Sequence, residues 1–249
     1  MLLSDVLKFW RQWLAISLLL ACGIALFLMA TSTSHSLQTS RLIYYKKYRF
    51  ADLFAWFVRA PEGVVQRVAT IPGVERAEGR IVQPALLDIP DMTEPASCRL
   101  VSIERESGNR LNDLAITQGR IPTARERNAI VISEPFAEAH QLRPGETLVA
   151  NLGGKRERLT IVGIGLSPEF VYAVQPGMLL TDNRRFGVFW MHRQQMEAAF
   201  NMDGAINQIS VTLLADASEC QVIDEMETIL RRYGCRGVDT RSEQESDQR

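Results

Sequence analysis

Few stretches of this chain bring residue types together at spacings that could do chemistry, and each lacks a part it needs. Gly153-Gly154-Lys155 has the Gly-Lys pair of a phosphate loop, in which backbone N–H groups cradle a phosphate and the Lys reaches it. That loop also requires a Gly where Val149 stands and Ser or Thr where Arg156 stands, so the stretch reads as a hairpin turn. Gly163-Ile164-Gly165 begins like a dinucleotide-binding turn, but Pro168 occupies the place of the third Gly, and it reads as a turn too. Leu166-Ser167-Pro168 falls short of a nucleophile elbow, which needs Gly two residues either side of the Ser; Gly165 supplies one.

Metal and acid–base sets fare no better. His35, His140 and His192 are far apart in sequence, with no HExxH and no Cys at ligand spacing. The four cysteines, Cys22, Cys98, Cys220 and Cys235, include no CxxC pair. Cys220 and Cys235 flank one expected helix and could pair in an oxidising compartment, but spacing alone does not fix their Cα separation, and two partly buried thiols are the simpler reading. Glu219, Asp224, Glu225 and Glu227 are carboxylates on the polar face of an amphipathic helix, where solvation explains them better than acid–base work. The expectation is therefore a non-enzyme, with no catalytic residue, no cofactor-binding residue and no metal ligand.

Among the elements that position these residues, the most marked is Trp13–Ala30, WLAISLLLACGIALFLMA, with no charge, no Pro and a single Gly. As a helix its length is about 27 Å, close to the thickness of a hydrocarbon core. Lys8 and Arg11 precede it, and Trp10 and Trp13 suit the membrane interface. A cleaved signal peptide, with Ala30-Thr31-Ser32 as its cleavage site, has a shorter apolar region. Leu19-Leu20-Ala21-Cys22-Gly23 resembles a lipobox, but apolar IALFLMA follows the Cys where a polar tether belongs. A buried core helix would show a polar face, and only Ser17 is polar here. A retained transmembrane helix is the reading adopted.

Which side the following domain occupies is not settled by charge. Arg41, Lys46, Lys47 and Arg49 after the span outnumber Lys8 and Arg11 before it, which favours the inside. That cluster starts well beyond the span, however, and long domains translocate largely regardless of charge. The whole chain is nearly neutral, with 28 basic and 29 acidic residues, and no basic patch with interleaved aromatics points to nucleic acid.

Residues 31–47 lack Gly and Pro, and Leu37, Arg41, Tyr44 and Tyr48 keep a helical spacing, so a helical stalk is expected. FADLFAWFVR (50–59) reads as a strand. Pro61 then opens a helix with the apolar stripe Val64, Val65, Val68 and Ile71, stopped by Pro72-Gly73. VERAEGRIVQPALLDI follows as one long strand or a strand pair. The order returns near the end: strand NQISVTLLAD (207–216), then helix SECQVIDEMETILRRYG (218–234) carrying Val222, Met226, Ile229 and Leu230, then CRGVDTR. In both places a helix ends at Gly and a short strand ends in Arg. Two such halves far apart suggest one split βαβ, ferredoxin-like unit with an insertion.

The insertion is strand-rich. Strands are expected at CRLVSIE and LNDLAI around the turn Ser107-Gly108-Asn109, at NAIVIS (128–133), at ETLVANL and KRERLTIVGIG around Gly153-Gly154, at EFVYAV and at FGVFWM. GRIP (119–122) is a loop, and short helices fall at EPFAEAHQL (134–142) and HRQQMEAAFN (192–201). Leu148, Ala150 and Leu152 share one strand face; Leu159, Ile161 and Gly163 share another.

The expected class is α+β: one N-terminal transmembrane helix, then a split βαβ (ferredoxin-like, porter-type) domain with an inserted small β-rich subdomain. The expected boundaries are a cytoplasmic N-terminus at 1–12, the span at 13–30 and the stalk at 31–47. The split subdomain covers 48–97 and 202–241, the insertion 98–201, and a polar tail 242–249.

Several strings resemble the amino-terminal part of FtsX-like ABC-transporter permeases, the superfamily of macrolide-exporter (MacB-like) and lipoprotein-release permeases. They are YYKKYRFADLFAWFVRAPEGV, IPGVERAEGRIV and GRIPTARERNAIVISEPFAEAHQLRPGETLVANLGGKRERLTIVGIGLSPEFVY. The resemblance covers nearly the whole chain, and its motifs are structural. It implies a cytoplasmic amino terminus, a first membrane helix in the plasma (inner) membrane, a periplasmic or otherwise extracytoplasmic core domain, and three further helices that couple it to a cytoplasmic ATPase. The partners it implies are the lipid bilayer, that ATPase and the remaining permease helices; a homodimer is left open, and no nucleic acid is implied. No second hydrophobic stretch occurs before Arg249, so the sequence reads as a truncated gene, a fragment or one piece of a split permease that does not transport alone. The alternative is a free-standing, membrane-anchored interaction module.

Overall fold

The structure, a computed structural model, describes residues 10, 14, 16–29, 48–89, 92, 95–104, 111–170 and 182–241. The expected stalk, the 242–249 tail, His35 and the Ser107-Gly108-Asn109 turn lie outside the described residues. The chain divides into two units, Met1–Lys47 and Tyr48–Arg249. In the first, residues 16–29 are helical and every side chain is exposed, including Ile16, Leu18, Leu19, Ile24, Leu26 and Phe27. Among the described residues no helix is long and apolar enough to cross a membrane; the ends of the expected span at Trp13 and Ala30 are outside them.

The second unit is α+β and holds two sheets. β1 (Leu53–Pro61), helix α1 (Val64–Ala69) and β2 (Val74–Arg80) form one strand–helix–strand run. β10 (Ala205–Leu213), α4 (Glu219–Leu230) and β11 (Cys235–Thr240) form the other. Their strands make a four-stranded sheet in the order β11-β1-β10-β2, every neighbour antiparallel. Alternation along β1 sends Leu53, Ala55 and Phe57 to a core shared with Val64, Val68, Val222, Met226 and Leu230 of the helices. The apolar stripes expected on α1 and α4 thus face one sheet surface.

Between these runs lie β3 (Val82–Asp88), β4 (Ala96–Ile103), β5 (Ala115–Gly119), β6 (Ala129–Ser133), α2 (Glu134–His140), β7 (Thr147–Leu152), β8 (Lys155–Leu166), β9 (Phe186–His192) and α3 (Arg193–Phe200). The sheet order is β5-β8-β6-β9-β4-β3-β7, and an extra pairing of β7 with β8 closes six strands into a ring. Gly153 and Gly154, both at positive φ, make the β7–β8 turn. The ring interior takes Leu100, Ile130, Ile132, Leu148, Leu159 and Phe189, plugged by Phe136 of α2. Alternate residues of the same strands, Val101, Val131, Val188 and Trp190, form a second core on the outer face, where Trp56 of β1 also packs. Burial on both faces explains the unbroken apolar runs of β6 and β9.

Five expectations need correction. Pro61 does not open α1; it ends β1 opposite Ala205, and Gly63 caps the helix. VERAEGRIVQPALLDI is two strands rather than one, but the two do not pair with each other. The chain crosses between sheets at Ile81, so β3 and the first part of β4, expected in the split unit ending at 97, belong to the seven-stranded sheet. The strand expected at LNDLAI starts only at Ala115, because Asn112 takes a left-handed φ of 52° and its side chain is used elsewhere. Glu169–Phe170, expected to start a strand, lie in a 3-10 turn, and 171–174 fall outside the described residues. Gly163 and Gly165 are not a turn either: they sit inside β8, where a Cβ would come within 2.5 Å of the Arg120 carbonyl and 2.6 Å of the Ala115 carbonyl. Only glycine lets β5 approach β8 that closely.

Candidate functional site

Among the described residues weighed for chemistry, each has its own structural partners or surface. His192 is buried and caps α3, its Nδ1 accepting the Gln194 N–H at 3.3 Å. His140 packs on Phe136 and contacts the Arg184 carbonyl through Nε2 at 2.8 Å. Ser167 is buried with its hydroxyl toward the Glu169 N–H. Glu219, Asp224, Glu225 and Glu227 are exposed on α4. All four cysteines are free thiols, Cys98 buried and Cys220 exposed. Among the described residues no group of three His, Cys, Asp or Glu could hold a metal ion.

Polar chemistry is concentrated instead where the four-stranded sheet faces the ring. Arg80, the last residue of β2, meets Glu169 through both guanidinium nitrogens at 2.7 and 2.9 Å, and Glu169 has no exposed surface. Such a planar fork on a carboxylate is the strongest common ion-pair geometry. Arg80 also donates to Gln208 Oε1. Asn112 donates to the same carboxylate at 3.2 Å, while its Oδ1 accepts the Ala51 N–H at 2.8 Å. Here the left-handed turn at Asn112 is explained: it places a short amide between Glu169 and the segment that leads into β1.

Beside this network lies a cavity of about 370 Å³, lined by Glu62, Gln66, Arg80, Glu104, Trp190 and Arg193 among others. A neighbouring cavity of about 710 Å³ shares Glu62, Glu104 and Arg193 with it. Arg193, at the start of α3, is buried and pairs with Glu62 at 2.8 Å, Glu104 at 2.9 Å and Glu197 at 3.1 Å. Burial pulls this guanidinium down, but Glu62, Glu197 and Glu104 outweigh it and hold it above its ordinary range. Three carboxylates thus converge on the one buried guanidinium at the edge of the cleft.

The two ends of the folded unit meet. Arg241, just past β11, donates to the carbonyls of Ala51 (3.1 Å) and Phe50 (2.7 Å) and to Asp52 at 2.6 Å, with its guanidinium 5.3 Å from the Phe50 ring centre. Asp52 in turn accepts the Leu213 N–H at 2.9 Å. None of Arg80, Asn112, Glu169 or Arg193 was marked by sequence reasoning. The signal available was the Arg that ends VERAEGR and CRGVDTR, since Arg80 and Arg241 hold these two clusters.

No protein-family model matches the sequence, and no curated protein is similar to it. Solved structures do resemble the fold. The periplasmic region of MacB from Actinobacillus actinomycetemcomitans superposes with a TM-score of 0.49 at 10% identity, over 81% of this chain and 94% of that one. The extracellular domain of the ABC-type transporter YknZ from Gram-positive bacteria gives 0.46 at 14% identity, over 76% and 98%.

Proposed function

We propose that this chain supplies the outer domain of an FtsX-like ABC-transporter permease, anchored by a membrane helix over 13–30 with the domain on the extracytoplasmic side. It is a non-enzymatic part that couples to a substrate or partner protein, while a cytoplasmic ATPase and further permease helices supply the transport cycle. The four-stranded sheet with α1 and α4 is read as the ferredoxin-like, porter-type unit, and the closed ring as its inserted subdomain.

The observation that carries this reading is the clamp between Arg241 and Phe50–Asp52. A domain set between two membrane helices must begin and end at one place, and here Phe50–Asp52 and Arg241 lie side by side. The helical run 16–29 adds to it: its apolar side chains are exposed all round, as suits a helix solvated by lipid. The permease strings in the sequence supply the family.

The test is purification of the full chain from its native membranes in mild detergent, followed by identification of stoichiometric partners. An ATPase bearing a phosphate loop, together with a polytopic membrane protein, is the expected result. A homogeneous preparation without an ATPase contradicts the reading.

A further inference from the structure

We propose that Arg193 and Glu62 form a releasable latch across the cleft, so that the four-stranded sheet with its helices swings relative to the ring while Arg80–Glu169 stays closed. Each half has its own apolar core: one built from β1, α1, β10 and α4, the other inside and outside the ring. The cavity between them is lined by charged side chains and by apolar Val65, Val101, Ile103, Leu111, Leu114 and Trp190, and Trp56 of β1 packs on the outer core of the ring. The bulk of each core is still built within its own half, which is the usual setting of a hinge.

The two charged ties across this boundary differ in hydration. Glu169 is fully buried and bidentate on Arg80, so breaking that pair strands a charge in a dry site. Glu62 is 59% exposed, and a pair with a hydrated partner opens at little cost. Arg193 is also never stranded. Of its three carboxylates only Glu62 belongs to the other half; Glu104, after β4, and Glu197, on α3, lie on Arg193's own side and keep it neutralised when Glu62 leaves. A buried cation with two carboxylates on its own side, Glu197 largely buried and Glu104 as hydrated as Glu62, keeps counter-charge when the partner across the boundary leaves.

The geometry can be read by distance measurement between nitroxide labels on the full chain in detergent micelles, at Gln66→Cys on α1 and Arg125→Cys beside the second cavity. Both positions are exposed, and Cys22, Cys220 and Cys235 are replaced by Ser. Glu62→Gln is expected to shift the distribution to longer distances and broaden it, and 1 M salt, with a screening length of about 3 Å, to do the same to the parent. Glu104→Gln, on Arg193's own side, is expected to leave the distance unchanged. An unshifted Glu62→Gln distribution overturns the latch, as does an equal shift in Glu104→Gln. Loss of the folded state in Glu62→Gln overturns it too, because a latch between two complete cores is not needed to hold either one.

Discussion

Asn207 and Val82 are joined by two hydrogen bonds: Asn207 Nδ2 donates to the Val82 carbonyl at 2.7 Å, and its Oδ1 accepts the Val82 N–H at 2.8 Å. A side-chain amide thus completes a strand-like pairing where β10 of one sheet meets β3 of the other. Ser102 does the same for the preceding residue, its hydroxyl accepting the Ile81 N–H at 2.8 Å. The chain crosses between sheets at this point, and buried backbone groups that leave one ladder before joining the next must be satisfied by something.

Asn207→Ala should therefore destabilise the domain by about 1–3 kcal/mol, the cost of leaving a partly buried donor and acceptor unpaired. Asn207→Asp keeps an acceptor for the Val82 N–H but sets a carboxylate against its carbonyl, and should be no better than Ala. Urea denaturation of the three proteins measures this, and an Asp variant as stable as the parent would sink the two-bond account.

Removing one partner of the buried Arg80–Glu169 pair should cost more. Glu169→Ala leaves the guanidinium without its fork and is expected to lose about 3–5 kcal/mol. Glu169→Gln, which keeps one oxygen acceptor, should lose less. A double change of Arg80 and Glu169 to Met removes both charges and is expected to recover much of the loss, a coupling that a double-mutant cycle reads directly.

Thiol chemistry should separate the cysteines sharply. Cys98 lies inside the ring core, and burial pushes its thiol well above the ordinary range, so it is not a nucleophile at neutral pH. Cys220 is exposed at the start of α4. Maleimide labelling followed by mass spectrometry should modify Cys220 quickly and Cys98 only in denaturant; rapid native labelling of Cys98 would contradict the core assignment.

Low pH should act locally at Glu126. The Arg120 guanidinium, at 2.8 Å, and the Thr123 N–H, at 2.9 Å, hold its carboxyl down to about 2. A depressed carboxyl stabilises the fold above its unfolded value and loses that contribution as pH falls through the folded one. The stability difference between the parent and Arg120→Ala should thus be constant above about pH 5 and shrink toward pH 2. The Glu126 titration followed by NMR should move up toward the ordinary carboxyl range in that variant.

Apolar periodicity made the layout legible. The stripes of α1 and α4, the alternation in β7, and the continuous apolar runs of β6 and β9 each follow from which faces are buried. What periodicity does not encode is where a chain changes partners. VERAEGRIVQPALLDI is equally strand-like on both sides of Ile81, and the switch of sheet is set by Asn207 and Ser102, far away in sequence. The cleft was hidden for the same reason: Glu62, Glu104 and Arg193 meet only in three dimensions. Pro61 misled because Pro suits a first helical turn, whereas here it is the last residue of β1, an inner strand between β11 and β10.

The most direct test is topology in the cell. Protease added to intact spheroplasts is expected to digest the domain spanning 48–241, with the residual helix staying in the membrane pellet after alkaline extraction. Full protection of the domain, or release of the intact chain by alkali, would contradict a membrane-anchored outer domain.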